Sequence, residues 1–277
     1  MFPVGDVEGV EHSTVQLSPL QNVGSVKKMI EFEIDASLLS KALDAVTTIN
    51  NEPAIIFEPA GLSIVAMDSF KVILVQLSLK ASEFHVYDVE DKRQKICFNI
   101  EGLQKYMRGA NGTAMITIDQ QVTLMLPSKY GFRTFDTPLF AELPQTLAPS
   151  KLPYDTICKI ETSALTEIVR DAGIIDSDFI RFRVNNDNLD AIIKGEKGSA
   201  VNSIEENKGI IHSKFAENAE FVTATKNFNL ALKVGTMFTN IVRMSFSEQP
   251  VPMKLEFQVA FDGVLSSFLA PVIGQEE

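Results

Sequence analysis

The chain has 277 residues, enough for two ordinary domains, and 45% of them are apolar, which suffices for a core in each. Its 25 basic residues face 36 acidic ones, a net charge of −11, so neither a simple basic nucleic-acid binder nor a membrane-surface protein fits. The apolar runs are of strand length and broken by charges, short of the ~18 residues of a membrane span. Cys97 and Cys158 stand far apart with no CxxC spacing, as expected of a reducing, intracellular compartment.

Residues 1–28 alternate Gly, Pro, Ser, Val and acids without helical or strand periodicity and end in Lys27-Lys28. They read as a disordered arm without the apolar core of a signal peptide; the alternative is that Met29 is the natural start. From Met29 the chain repeats itself once. The stretch Ile34 to Leu43 returns 126 positions later as Ile160 to Val169, and Leu103, Met107 and Arg108 are matched by Phe228, Leu232 and Lys233. Such self-similarity predicts a duplicated domain.

Each half reads as a strand, a helix, several strands, a second helix and more strands. The first helices open at Asp35 and Glu161, where a carboxylate can take free amides, and carry apolar stripes of Leu38, Leu39, Ala42, Leu43 and Val46, or Leu165, Ile168, Val169 and Ala172. The second helices carry Leu103, Tyr106, Met107 and Ala110, or Phe228, Ala231 and Leu232, with Gly109 and Gly235 as expected stops. Between them lie β-branched runs such as Val72 to Leu79, and Met115 to Ile118 with Val122 to Leu126 reads as a hairpin. The class is α+β with much antiparallel sheet. Four prolines within residues 136–153 mark an extended connector between the halves. The expected divisions are therefore the arm 1–28, an N-terminal domain 29–135, the connector 136–153 and a C-terminal domain 154–277.

Enzyme signatures are missing from the sequence: there is no HExxH, GxxxxGK[ST], GxSxG or GxGxxG. Asp171, Asp176 and Asp178 could suit a divalent cation but read better as turn residues, so neither metal nor cofactor is expected. A metal-dependent hydrolase is the remote alternative. The scarce positive charge is better organised. Lys41, Lys105, Arg108, Arg170, Lys226 and Lys233 fall on the polar faces of the four helices. The stretches 35–49, 99–110, 162–173 and 225–235 carry −1, +1, −1 and +2, a net +1 that leaves −12 for the rest of the −11 chain. On a common surface those faces would offer phosphates sequence-independent, salt-sensitive contacts; ordinary solvated helix faces would look the same.

One segment is specific. Met67-Asp68-Ser69-Phe70-Lys71-Val72-Ile73-Leu74-Val75-Gln76-Leu77-Ser78-Leu79 resembles the MDSxxVxLVxLxL signature of the PCNA family, the sliding DNA clamps of archaea and eukaryotes, while Val251-Pro252-Met253 and Phe268-Leu269-Ala270-Pro271 resemble its VPL and YLAP elements. The resemblance runs from Met29 to Glu277, and Leu152-Pro153-Tyr154 is similar to the archaeal connector ending. It implies a duplicated two-domain subunit of a six-domain ring of three, with helices lining the hole and sheets outside. This would be a non-enzymatic processivity factor, nucleoid-associated in an archaeon and nuclear in a eukaryote. Lys41, Lys105, Arg108 and Arg170 match the lining cations and Lys233 lies one position from another; Lys226 is added from face geometry. Thr47 and Glu167 depart from the family's basic pattern.

The implied partners are double-stranded DNA, a clamp loader, and DNA polymerase, flap nuclease and DNA ligase carrying PIP-type peptides. The peptide pocket would comprise Met67, Val72, Leu74, Leu147, Pro149, Val251, Pro252, Phe268, Leu269, Ala270 and Pro271, although without the resemblance Met67, Val72 and Leu74 read as strand core. Ring closure would pair Tyr130 to Phe135, with Phe132 between them, against Ser199, Val201 and Ile204 of the next subunit, itself or a paralogue. A subunit of a heteromeric or checkpoint-type clamp is the alternative.

Overall fold

The computed structural model describes residues 30–144, 152–217 and 219–273. The expected arm, and Leu147 and Pro149 of the expected pocket, lie outside them.

The N-terminal half runs β1 (Ile30–Asp35), α1 (Ala36–Thr47), β2 (Ala54–Glu58), β3 (Gly61–Met67), β4 (Ile73–Lys80), β5 (Val86–Asp88), β6 (Gln94–Ile96), α2 (Ile100–Met107), β7 (Thr113–Ile118), β8 (Gln121–Ser128) and β9 (Gly131–Pro138). The C-terminal half repeats the order with β10 (Thr156–Glu161), α3 (Thr162–Ile175), β11 (Phe179–Asn185), β12 (Asn188–Gly195), β13 (Gly198–Ile204), β14 (Ile210–Lys214), β15 (Glu220–Ala224), α4 (Thr225–Thr236), β16 (Ile241–Phe246), β17 (Met253–Gln258) and β18 (Val264–Leu269).

The sheet orders give the duplication its physical form. One sheet is β5-β1-β7-β8-β9, another is β13-β12-β11-β15, and the third, of nine strands, is β14-β10-β16-β17-β18-β4-β3-β2-β6. The large sheet is a five-strand unit of the C-terminal half laid beside a four-strand unit of the N-terminal half, with the same internal orders as the two smaller sheets. Its seam is the antiparallel β18–β4 pair, from Val264 opposite Ser78 to Leu269 opposite Ile73. What β18 and β4 do for each other, their counterparts β9 and β13 lack, and both stand at open sheet edges.

Strand β9 runs to Pro138, three residues into the segment expected as connector. An edge strand tolerates proline because its outer side owes no ladder hydrogen bond. Phe140 then donates its N–H to the Cys97 carbonyl, and Lys95 Nζ donates to the Pro144 carbonyl at 2.7 Å. On the far side Tyr154 Oη donates to the Pro252 carbonyl at 3.1 Å, and burial raises that phenol. The described ends of the connecting segment are thus pinned near β6 and near β17, five strands apart in the large sheet.

The helices form a row, α2 on α1, α1 on α4, α4 on α3, and each also lies on strands: α2 on β9, α3 on β10, β12 and β13, α4 on β15, β17, β18 and β4. Buried side chains of both halves make one continuous core. Asp35 caps α1, accepting from Leu38 N–H at 2.9 Å and from Ser37 Oγ at 2.7 Å, and these bonds hold its carboxyl below the usual carboxylate range. Glu161 makes no such cap bond to α3. Gly109, with φ of 73°, follows the end of α2 as a stop should. Gly235 is not a stop: it lies inside α4, and a Cβ there would meet the Phe257 ring at 2.2 Å, so it is needed for the close approach of α4 to β17.

Candidate nucleic-acid interface and partner surface

The apolar stripes of the helices face the core, leaving Lys41, Lys105, Arg108, Arg170, Lys226 and Lys233 exposed on the row's outer faces. Heptad-related spacing fixes this: with Phe228, Ala231, Leu232 and Gly235 buried in α4, Lys226, Asn229 and Lys233 share the opposite strip. Two of the six cations have carboxylate neighbours on their own helix. Lys105 Nζ lies 2.5 Å from Glu101 Oε1, and Arg170 Nε lies 3.7 Å from Asp171 Oδ1. Among the described residues Lys41, Arg108, Lys226 and Lys233 make no ion pair.

The second surface lies on the outer side of the β18–β4 seam. Met67, Val72 and Leu74 are half-buried; Leu74 is opposite both Met67 and Phe268, and Lys254 Nζ sits 5.6 Å from the Phe268 ring centroid. Val251, Pro252, Ala270 and Pro271 are half-buried, and Ala270 N–H donates to the Val72 carbonyl. Leu269 does not belong to this surface. Strand alternation sends it to the opposite face from Phe268, where it is fully buried in the core.

Sequence reasoning missed Phe70, which is 86% exposed at the tip of the turn between β3 and β4. The Asp68 carboxylate holds this turn by accepting from the N–H groups of Phe70, Val72 and Ile73, and Lys71 takes φ of 59°. An Asp-Ser pair between two strands announces such a turn, and a phenylalanine at its apex has no core to enter.

Burial pushes the Cys158 thiol up to about 12 and raises Cys97, both away from nucleophilic thiolates. Asp176 ends α3 at φ of 62° and pairs with Lys197 at 3.3 Å, and no cluster of three or more potential metal ligands occurs among the described residues. No helix among them is long and apolar enough to cross a membrane.

The residues expected to close a ring lie on or beside the edge strands β9 and β13. Phe132 of β9 is 68% exposed, Val201 of β13 is 61% exposed, and Tyr130 stands exposed in the turn before β9. Phe135 is half-buried against Tyr106, with ring centroids 5.1 Å apart, while Ser199 is exposed and Ile204 is buried. A duplicated subunit that leaves β9 and β13 unpaired and carries a row of helices with cations on their exposed faces has the architecture of a DNA clamp. Residues 29–126 match the family model described as Proliferating cell nuclear antigen, N-terminal domain. The chain is 29% identical over 246 residues to the "DNA polymerase sliding clamp" of Methanothermobacter thermautotrophicus, covering 88% of this chain and 97% of that one. It is 26% identical over 256 residues to the "Proliferating cell nuclear antigen" of Dictyostelium discoideum, covering 87% and 97%. Among solved structures it is similar to the PCNA2-PCNA3 complex from Sulfolobus tokodaii, with a TM-score of 0.75 and 22% identity, and to Proliferating Cellular Nuclear Antigen from Entamoeba histolytica, with a TM-score of 0.77 and 18% identity; each comparison covers 88% of this chain and 99% of the other. The chain is thus similar to the PCNA family of DNA sliding clamps, by the family model over its N-terminal domain and by these relatives along nearly its whole length.

Proposed function

We propose that three copies of this chain close a ring around duplex DNA by laying β9 of one against β13 of the next, and that the ring tethers replication and repair proteins to DNA without catalysing a reaction. The observation that carries this reading is the β18–β4 seam, because β9 and β13 are the counterparts of β18 and β4 and remain open in one chain. A heterologous contact of this kind closes on itself when its rotation permits and leaves neither β9 nor β13 unpaired. Topology then holds the ring on DNA, so the net charge of −11 on each chain is no obstacle. The helix row needs only weak, mobile phosphate contacts.

The outer patch of Met67, Val72 and Leu74, floored by the buried Phe268 and rimmed by Val251, Pro252, Ala270 and Pro271, is the proposed seat for the apolar anchors of partner peptides. DNA polymerase, clamp loader, flap nuclease and DNA ligase are the expected bearers. A cluster of partly buried apolar side chains suits such anchoring. The place of work is wherever the chromosome lies, nucleoid or nucleus.

The test is topological. Loaded onto nicked circular DNA by an ATP-driven loader, the protein should be retained through gel filtration and should be lost once the circle is cut to a linear form. Equal retention on both forms would show adhesion rather than encirclement.

A further inference from the structure

The duplication makes α1 and α3 twins 126 positions apart, so that Lys41 corresponds to Glu167 and Asp44 to Arg170. The charges are exchanged between the twins, and their surroundings differ. In α1 the Asp44 carboxylate accepts from the side chain of the buried Gln104 of α2, while Lys41 stands exposed with no ion pair among the described residues. In α3 the cation is the encumbered partner: Arg170 has Asp171 beside it at 3.7 Å and Glu167 one turn earlier on the exposed face. Helix α4 contains Lys226 and Lys233 and no acid.

We propose that the phosphate-contacting track runs over α1, α4 and the C-terminal end of α2, where Arg108 is exposed, and skips α3. This rests on the clamp reading. A phosphate approaching Arg170 also approaches Glu167 and Asp171, within the roughly 8 Å over which charges act at physiological ionic strength. The net field of that face is therefore repulsive, whereas every exposed charge on α4 is attractive. Because α1 packs on α4, Lys41, Lys226 and Lys233 belong to neighbouring helices at the centre of the row, while α3 lies at one end of it, on β13. In a closed ring the duplex would rest on three central patches separated by acidic gaps at the subunit joints.

The experiment measures binding of a random-sequence duplex oligonucleotide by fluorescence anisotropy over a salt series, with circular-DNA retention of each variant assayed in parallel. Arg170→Ala should leave the slope of log K against log salt unchanged and the affinity within twofold. Lys226→Ala with Lys233→Ala should make this negative slope shallower by about 0.9 for each phosphate that is no longer neutralised. Glu167→Lys, which gives α3 the charge of its twin, should steepen the slope and raise the affinity. If Arg170→Ala flattens the slope as much as Lys233→Ala, or Glu167→Lys changes nothing, the gap on α3 is refuted while the clamp reading stands. A parent protein not retained on circular DNA refutes both.

Discussion

Asp35 shows how much one side chain can organise. Its carboxylate satisfies an amide at the start of α1, the helix that carries Lys41, and the same bonds lower its pKa. Replacing an N-cap of this kind costs about 1 kcal/mol. Asp35→Ala should therefore shift the midpoint of urea denaturation downward at neutral pH, whereas Asp35→Asn should keep most of the stability because an amide oxygen still caps. Charge and cap separate on acidification. A carboxyl whose folded pKa is depressed contributes stability above its unfolded pKa and loses it as pH falls through the folded value. Any advantage of the parent over Asp35→Asn should thus narrow below about pH 4, near the ordinary aspartate pKa. A parent–Asn difference that stays constant on acidification would mean that the charge adds nothing to the cap. This cap could be read from the sequence because its partner lies three residues away. Gly235 could not: its reason is Phe257, reached only when α4 packs on β17. Leu269 was misplaced for a related cause, since a motif names neighbouring residues without saying which of them the strand turns inward.

At the scale of elements, local chemistry set most of the order. The hairpin of β7 and β8, the two first helices and the short turns follow from periodicity and turn residues close in sequence. The β18–β4 seam joins residues about 190 positions apart, and nothing in the periodicity of either strand selects the other. Only the family resemblance implied it. The proposed peptide seat exists because that seam brings Leu74 opposite Phe268. Ala270, just beyond β18, is half-buried and tied to Val72 through its backbone, so Ala270→Arg would set a cation against the apolar anchor with the seam's own ladder untouched. Such a charge costs on the order of a few kcal/mol of binding, or about two or more decades in affinity. Calorimetric titration with a peptide bearing a Gln, an aliphatic anchor and two aromatics should record that loss, with ring mass unchanged. Full affinity in the intact variant would move the partner site elsewhere.

For the whole molecule, the seam also specifies how one chain should meet the next. Carrying the β18–β4 register onto the counterpart strands, through the matching hairpins on either side, sets Thr134 opposite Val201, Phe135 opposite Ala200 and Arg133 opposite Asn202. Thr134 and Val201 are exposed on their edge strands. Cβ atoms of directly opposed residues lie about 4.5–5.5 Å apart, near enough for a disulfide after slight adjustment, while diagonal neighbours at about 7–8 Å are not. A protein with both Thr134→Cys and Val201→Cys should therefore form covalent multimers up to a trimer under oxidising, non-reducing electrophoresis, and either substitution alone should not. Thr134→Cys with Ser199→Cys should crosslink poorly. The native Cys97 and Cys158 are buried and should not interfere. If the Ser199 pair crosslinks and the Val201 pair does not, the joint is slipped by two residues. If neither pair crosslinks and the parent chain has the mass of a monomer, its edges need a different chain as partner, and the ring is heteromeric.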